Sequence, residues 1–185
     1  DNTDVTGFMS HLDRSLGADW DRDVGTALVI GAGGAARAVV AGLLDRSLDR
    51  VLIANRTHDR TREIAEAFAE AGRPRIVPLA WDAVASALED VELLVNTTSL
   101  GMAGHPPLAL DLAPLPPWAA VADIVYVPLE TPLLAAARAR GLRTVDGLGM
   151  LLHQAVPGFA RWFGIMPEVT PELRALVVAD IEGRR

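Results

Sequence analysis

Between residues 26 and 146 the chain alternates short β-branched runs with alanine-rich stretches of helical period, and this alternation constrains its fold more than any other feature. Repeated strand–helix units bring successive strands together in parallel and lay helices on both faces of the resulting sheet. The spacing predicts strands at 27–30, 51–54, 75–78, 92–96, 121–125 and 143–145. Helices are expected at 34–45 and at 57–71, the second turning Ile64, Ala65 and Phe68 inward. Ahead of the sheet, Val5, Phe8, Met9, Leu12 and Leu16 recur at helical spacing and Gly17 stops the run, which describes a lead-in helix. Thr131-Pro132 and Thr170-Pro171 each set a capping hydroxyl before a first-turn proline and mark two further helix starts. Five prolines between residues 103 and 117 predict a surface loop over one end of the sheet.

Composition removes several chemistries. With 185 residues the chain has room for about one domain, and half of its residues are apolar, enough for a real core. The net charge of −7 argues against a nucleic-acid partner or an anionic membrane surface, both of which call for a basic stripe. No apolar run reaches membrane-spanning length; Arg37 interrupts the longest, between Leu28 and Leu44. Cysteine is absent, which excludes disulfides, zinc-thiolate sites and thiol nucleophiles. All 17 basic residues are arginine, so Schiff-base chemistry and a lysine acid are excluded from this chain. His11, His58, His105 and His153 are far apart and form no local metal-ligand spacing, and no metal is expected. The opening Asp1-Asn2-Thr3-Asp4 reads as the interior of a longer protein without a signal peptide, and cytoplasm is the compartment expected by default.

The first predicted strand runs into Gly31-Ala32-Gly33-Gly34-Ala35-Ala36, a G-x-G-x-x-A turn that opens a helix. Gly31 permits the tight turn, Gly33 lets backbone approach a pyrophosphate, and Ala36 allows close packing of helix on strand. Free amides at the helix start would hold the phosphates. This places the chain among α/β proteins with a doubly wound, Rossmann-like parallel sheet of about six strands and flanking helices. The tip of the second strand selects the dinucleotide. An NAD site wants an acidic residue about 20 residues past the glycines, whereas an NADP site offers cations to the 2′-phosphate. Here the tip reads Asn55-Arg56-Thr57, with Arg60 one turn on, and two arginines at a helix N-terminus oppose the macrodipole unless an anion lies between them. The plainer alternative has Thr57 capping the helix and Arg60 pairing with Glu63.

In these segments the chain resembles shikimate dehydrogenases. The matching stretches are Asn2-Thr3-Asp4-Val5-Thr6-Gly7, the turn from Gly31 to Ala35, Asn55-Arg56-Thr57 with Arg60, and Asn96-Thr97-Thr98-Ser99-Leu100-Gly101-Met102. They continue with Asp123-Ile124-Val125-Tyr126, Thr131-Pro132-Leu133, and Asp146-Gly147-Leu148-Gly149-Met150-Leu151 followed by Gln154. The resemblance implies an NADP-dependent oxidoreductase that interconverts 3-dehydroshikimate and shikimate, in the pathway to aromatic amino acids. It further implies a catalytic pair made of Asp4 and a lysine from an N-terminal substrate domain that this segment lacks. Tyr126 and Gln154 match substrate-contacting positions, and Ile124 and Gly147 match positions near the nicotinamide. A carboxylate such as Asp4 accepts from a substrate hydroxyl and holds the ring in register, while the lysine exchanges the proton. Residues 1–147 are then the lead-in helix and NADP-binding domain, and 148–185 are C-terminal helices returning to the substrate domain. The isolated chain is expected to bind NADP and to turn over very slowly or not at all, as a monomer or homodimer.

Each residue also has a structural reading. Asp4 could cap a helix, Tyr126 could be a core strand residue, and Gln154 could face solvent. Pro157 falls inside a helix that the resemblance makes continuous, so a kink or break is expected there. The rival functions are a quinate/shikimate dehydrogenase and a non-catalytic NADPH-binding sensor.

Overall fold

The computed structural model describes residues 2–69 and 75–183. Its center is an all-parallel sheet of β1 (Thr26–Ile30), β2 (Arg50–Ala54), β3 (Arg75–Leu79), β4 (Leu93–Asn96), β5 (Ala120–Asp123) and β6 (Arg143–Val145), in the spatial order β3-β2-β1-β4-β5-β6. All six predicted strands occur. Strand alternation divides the core in two. Ala27, Val29, Val51, Ile53, Leu93, Val95, Ala120 and Ala122 point into one cluster, and Leu28, Ile30, Leu52, Ala54, Leu94 and Val121 into the other. Burial on both faces is what makes these strands read as nearly continuous apolar runs.

The helices are α1 (Thr3–Leu16), α2 (Gly34–Leu44), α3 (His58–Ala67), the single turn α4 (Val84–Ala87), α5 (Pro132–Ala139), α6 (Gly147–Phe163) and α7 (Pro171–Gly183). Phe8, Met9 and Leu12 of α1, Val39, Val40 and Leu43 of α2 and Ile64 of α3 cover the first face. Val84 of α4 and Leu133, Leu134 and Ala137 of α5 cover the second. Each fully buried leucine contributes about 1.5–3 kcal/mol. Residues 70 and 71 of the predicted second helix lie outside the described residues.

Four expectations are corrected. The proline-rich stretch is not only a surface loop: Leu108, Leu112 and Leu115 are buried in the second core, and the Arg140 guanidinium donates to the carbonyls of Leu112, Ala113 and Leu115. An arginine that satisfies carbonyls removes the cost of burying irregular backbone. β5 stops at Asp123 instead of reaching 125, because the Val125 amide is taken by Asp123 Oδ1 at 3.0 Å. α6 is not broken at Pro157 but runs from Gly147 to Phe163. Proline removes one helical hydrogen bond, and packing of the preceding turns against α1 offsets that loss. The Thr57 side chain makes no capping bond, and Glu63 faces Arg37 at 4.0 Å rather than Arg60.

α1 and α6 form the tightest helix seam. A Cβ on Gly7 would lie 2.6 Å from Gln154 Cβ and 2.7 Å from the Met150 carbonyl, and a Cβ on Gly149 would run into the His11 ring. The pairing of Gly7 with Gln154 and of His11 with Gly149 makes the two helices antiparallel. Asp4 therefore stands one turn beyond Gly7, toward the second half of α6.

Candidate functional site

The strand order reverses between β1 and β4, and in an open α/β sheet ligands bind outside the carboxyl ends of the strands at such a switch point. Gly31 sits there with φ +115°, its amide donating to the Ala54 carbonyl at 2.8 Å. A Cβ on it would stand 2.5 Å from Thr97 Oγ1, so glycine is required both by conformation and by space. Thr97 closes the other side, its amide and its hydroxyl both donating to the Ile30 carbonyl, at 2.8 and 2.7 Å. Gly33 caps α2 without a side-chain bond, and a Cβ on Gly33 or Gly34 would meet nothing within 4 Å. Gly33 and Gly34 are exposed beside the half-buried Ala32, and the first amides of α2 have no acceptor within their own helix. This cradle fits a pyrophosphate.

Next to it lies a cleft of about 440 Å³ lined by Ile30, Asn55, Arg56, Trp81 and residues 98–100. The Asn55 amide donates to the Thr57 carbonyl at 3.0 Å and fixes the turn into α3. Arg56 and Arg60 are exposed, and neither has a carboxylate partner among the described residues. No acidic residue stands between Ala54 and Thr57, where an NAD site would place one, although Asp59 follows beside Arg60 in the first turn of α3. Trp81 comes from a short 3-10 turn and has no periodic signature that sequence reasoning could have used.

A second cleft, of about 540 Å³, shares Thr98 and Ser99 with the first and continues past Met102, Ile124, Val125 and Tyr126. Tyr126 is 38% exposed on its wall and is not a core strand residue. Gly147, at the start of α6, lies against the Ile124 and Val125 carbonyls so closely that a Cβ would overlap them. Ile124 and Gly147 are thereby brought together. Gln154 is half-buried in the α1–α6 seam instead of facing solvent. Asp4 is not the cap of α1, since the Asn2 side chain accepts the Asp4 amide at 2.9 Å. Asp4 and Gln154 thus share the α1–α6 seam, while Tyr126 lines the cleft.

What holds both cleft walls is a buried carboxylate that sequence reasoning did not single out as a site residue. Asp123, 1% exposed, accepts from Asn96 Nδ2 at 2.9 Å, Val125 N at 3.0 Å and Thr131 Oγ1 at 2.7 Å. Asn96 in turn accepts from the Thr98 amide and hydroxyl at 3.1 and 2.8 Å and donates to the Leu100 carbonyl at 3.1 Å. Thr131 caps α5 at the Leu134 amide. Burial pushes the Asp123 carboxyl up to about 6, against the downward pull of its three donors. The signal lay in the two strand-end motifs, Asn96-Thr97-Thr98 and Asp123-Ile124-Val125-Tyr126, whose side chains meet only once β4 and β5 pair.

The sheet order, the glycine turn at its switch point and the open helix start together define a Rossmann-type dinucleotide-binding α/β protein. Comparison with known proteins narrows the class. The family described as shikimate / quinate 5-dehydrogenase matches residues 18–103, and the shikimate 5′-dehydrogenase C-terminal domain matches 147–176. The shikimate dehydrogenase (NADP(+)) of Methylobacterium radiotolerans is 65% identical over 184 residues, covering 99% of this chain and 64% of that protein. Among solved structures, quinate dehydrogenase from Corynebacterium glutamicum in complex with NAD aligns with a TM-score of 0.87 at 32% identity, over 97% of this chain and 62% of that one. Shikimate 5-dehydrogenase from Thermus thermophilus in complex with NADP(H) and shikimate aligns with a TM-score of 0.78 at 34% identity, again over 97% and 62%. Two models of shikimate dehydrogenase domains thus match separate parts of the chain, and its similarity to curated shikimate dehydrogenases runs along nearly its whole length. The chain spans just under two thirds of the length of the curated relatives it matches.

Proposed function

We propose that this chain is the NADP-binding part of an enzyme that reversibly reduces 3-dehydroshikimate to shikimate, acting in the cytoplasm on the route to aromatic amino acids. The observation that carries the cofactor choice is Arg56, exposed in the cleft just past β2 with no carboxylate between Ala54 and Thr57, and followed by the exposed Arg60 in the first turn of α3. Backbone amides of residues 32–35 hold the pyrophosphate, with Gly31 and Gly33 setting the turn. Asn55 and Thr57 shape the 2′-phosphate pocket, and Arg56 with Arg60 neutralizes it. When bound, NADP supplies the hydride exchange at the substrate carbon. Ile124 and Gly147 form the wall beside the nicotinamide, and the Tyr126 hydroxyl and the Gln154 amide orient substrate hydroxyls. Asp4 accepts from a substrate hydroxyl and holds a proton-exchanging lysine in place.

This chain has no lysine, so catalysis needs a substrate domain supplied by the remainder of a full-length enzyme. Residues 148–185 return to that domain, while 1–147 hold the cofactor. Trp162, Phe163, Ile165 and Met166, all exposed, form the face it covers. Full-length enzyme of this kind works as a monomer or homodimer, with no nucleic acid or membrane partner. Among the described residues, no helix is long and apolar enough to cross a membrane.

The test is to fuse the chain to the remaining third of its Methylobacterium radiotolerans relative and to follow shikimate-dependent NADPH formation. The fusion should be active, and Asp4→Asn should lower kcat at least a hundredfold with NADPH affinity retained. A folded fusion that binds NADPH and never oxidizes shikimate would instead identify a cofactor sensor.

A further inference from the structure

Away from the dinucleotide crevice, and sharing no lining residue with it, a pocket of about 290 Å³ lies where α1, α6 and α7 meet. Each helix presents one face to it: His11, Arg14 and Ser15 from α1, Gly149, Leu152 and His153 from α6, and Thr170, Pro171 and Arg174 from the start of α7. The first two sets follow i, i+3, i+4 spacing, which stacks side chains on one helix surface.

The polar groups here do not balance. Asp146 contributes the pocket's one carboxylate, and its charge is already committed. It accepts from Arg174 at 2.7 and 3.2 Å and from the Leu148 and Gly149 amides at 3.0 and 3.3 Å. Arg14 has no carboxylate partner among the described residues. His11 Nε2 is buried and lacks a hydrogen-bond partner, being 3.8 Å from Asp146 Oδ1, while Ser15 Oγ is 3.4 Å from its Nδ1. His153 stacks on His11 with ring centroids 6.1 Å apart. Leaving a buried ring nitrogen without a hydrogen bond is costly, and Arg14 adds a positive charge that no carboxylate answers among the described residues.

We propose that this pocket is a binding site for a small phosphate-type oxyanion, held by Arg14, Ser15, His11 and His153. Arginine and imidazolium give charge-assisted bonds to such an anion, and the N-terminal end of α7 borders the pocket with the favorable sign of the helix dipole. Bound there, the anion ties α7 to the α1–α6 pair. The site goes beyond the proposed enzymatic reading and does not depend on it.

Both imidazoles are held below the ordinary histidine value. For His11 the main cause is burial, with His153 and Arg174 adding to it and the Asp146 carboxylate and a weak contact with the Asp146 backbone opposing it; for His153 it is burial and then Arg14. An oxyanion favors their protonated forms, so binding tightens as pH falls and bound anion raises both pKa values.

The experiment is an NMR titration of the whole chain with inorganic phosphate, read at the ring Cε1–Hε1 signals of His11 and His153, against chloride at equal ionic strength. The expected result is a saturable phosphate-specific shift of both rings, an upward move of their titration midpoints, and affinity about tenfold weaker in Arg14→Ala, whose exposed side chain is not needed for folding. Rings that respond equally to chloride, a response unchanged in Arg14→Ala, or shifts confined to the amides of residues 31–36 and 56–60 would each overturn the site. The last pattern is phosphate binding at the dinucleotide cradle, so failure here leaves the cofactor reading standing.

Discussion

The carboxyl edge of the sheet and the α6–α7 flank differ in what they leave unsatisfied. At the sheet edge Asp123, Asn96 and Thr131 answer one another and the adjoining backbone, beside the two clefts that share Thr98 and Ser99. Along the flank Trp162 is 79% exposed and Met166 72%, with Phe163 and Ile165 beside them, and α7 has no buried residue. The sheet edge satisfies its buried polar groups internally, whereas the flank leaves large apolar side chains exposed. Apolar patches of this kind mark interaction surfaces.

The comparison can be broken first at Gly31. Gly31→Val forces a β-branched residue into φ +115° and onto Thr97 Oγ1, and should cost about 3–5 kcal/mol in urea denaturation with loss of NADPH binding. A variant of wild-type stability that still binds NADPH would remove the rigid turn from the account.

Asp123 gives the next largest effect, through pH. Its folded pKa of about 6 lies above the unfolded value near 3.8, so the folded state binds more protons between the two. The stabilization is fully present below pH 3.8 and is lost as pH rises through 6. A shift of roughly two units amounts to about 3 kcal/mol. The stability of wild type relative to Asp123→Asn, measured by denaturation at several pH values between the two pKa values and above the upper one, should therefore fall by that order as pH rises. A pH-independent difference contradicts the buried-carboxylate reading.

On the flank, effects should be smaller. Arg174→Ala removes the partly exposed bidentate pair with Asp146 and should cost at most about 1 kcal/mol, while hydrogen exchange in α7 speeds up and the sheet stays protected. Trp162→Ser with Phe163→Ser should change stability by less than about 0.5 kcal/mol and reduce self-association in sedimentation. A cost above about 2 kcal/mol would mean the flank is sealed by its own chain.

Much of the sheet edge was legible in the sequence for a local reason. Gly31, Gly33 and Arg56 stand at fixed offsets from a strand end, where backbone conformation and charge can be read locally, and all six strands show in their apolar runs because both faces are buried. Asp123 was not legible as a hub, since its partners Asn96 and Thr131 are 27 and 8 residues away and meet it only through β4–β5 pairing. Trp81 was invisible because a three-residue 3-10 turn has no period. At Pro157 the local rule for a break yielded to packing that keeps α6 continuous.

The central claim is that the β2 tip is built for a 2′-phosphate, and calorimetric titration of the chain with NADPH and NADH, repeated on Arg56→Ala, tests it most directly. NADPH should bind at least tenfold tighter than NADH, and the substitution should erase that preference while leaving NADH affinity unchanged. Equal affinities in the wild-type chain, or a preference that survives Arg56→Ala and Arg60→Ala together, would contradict it.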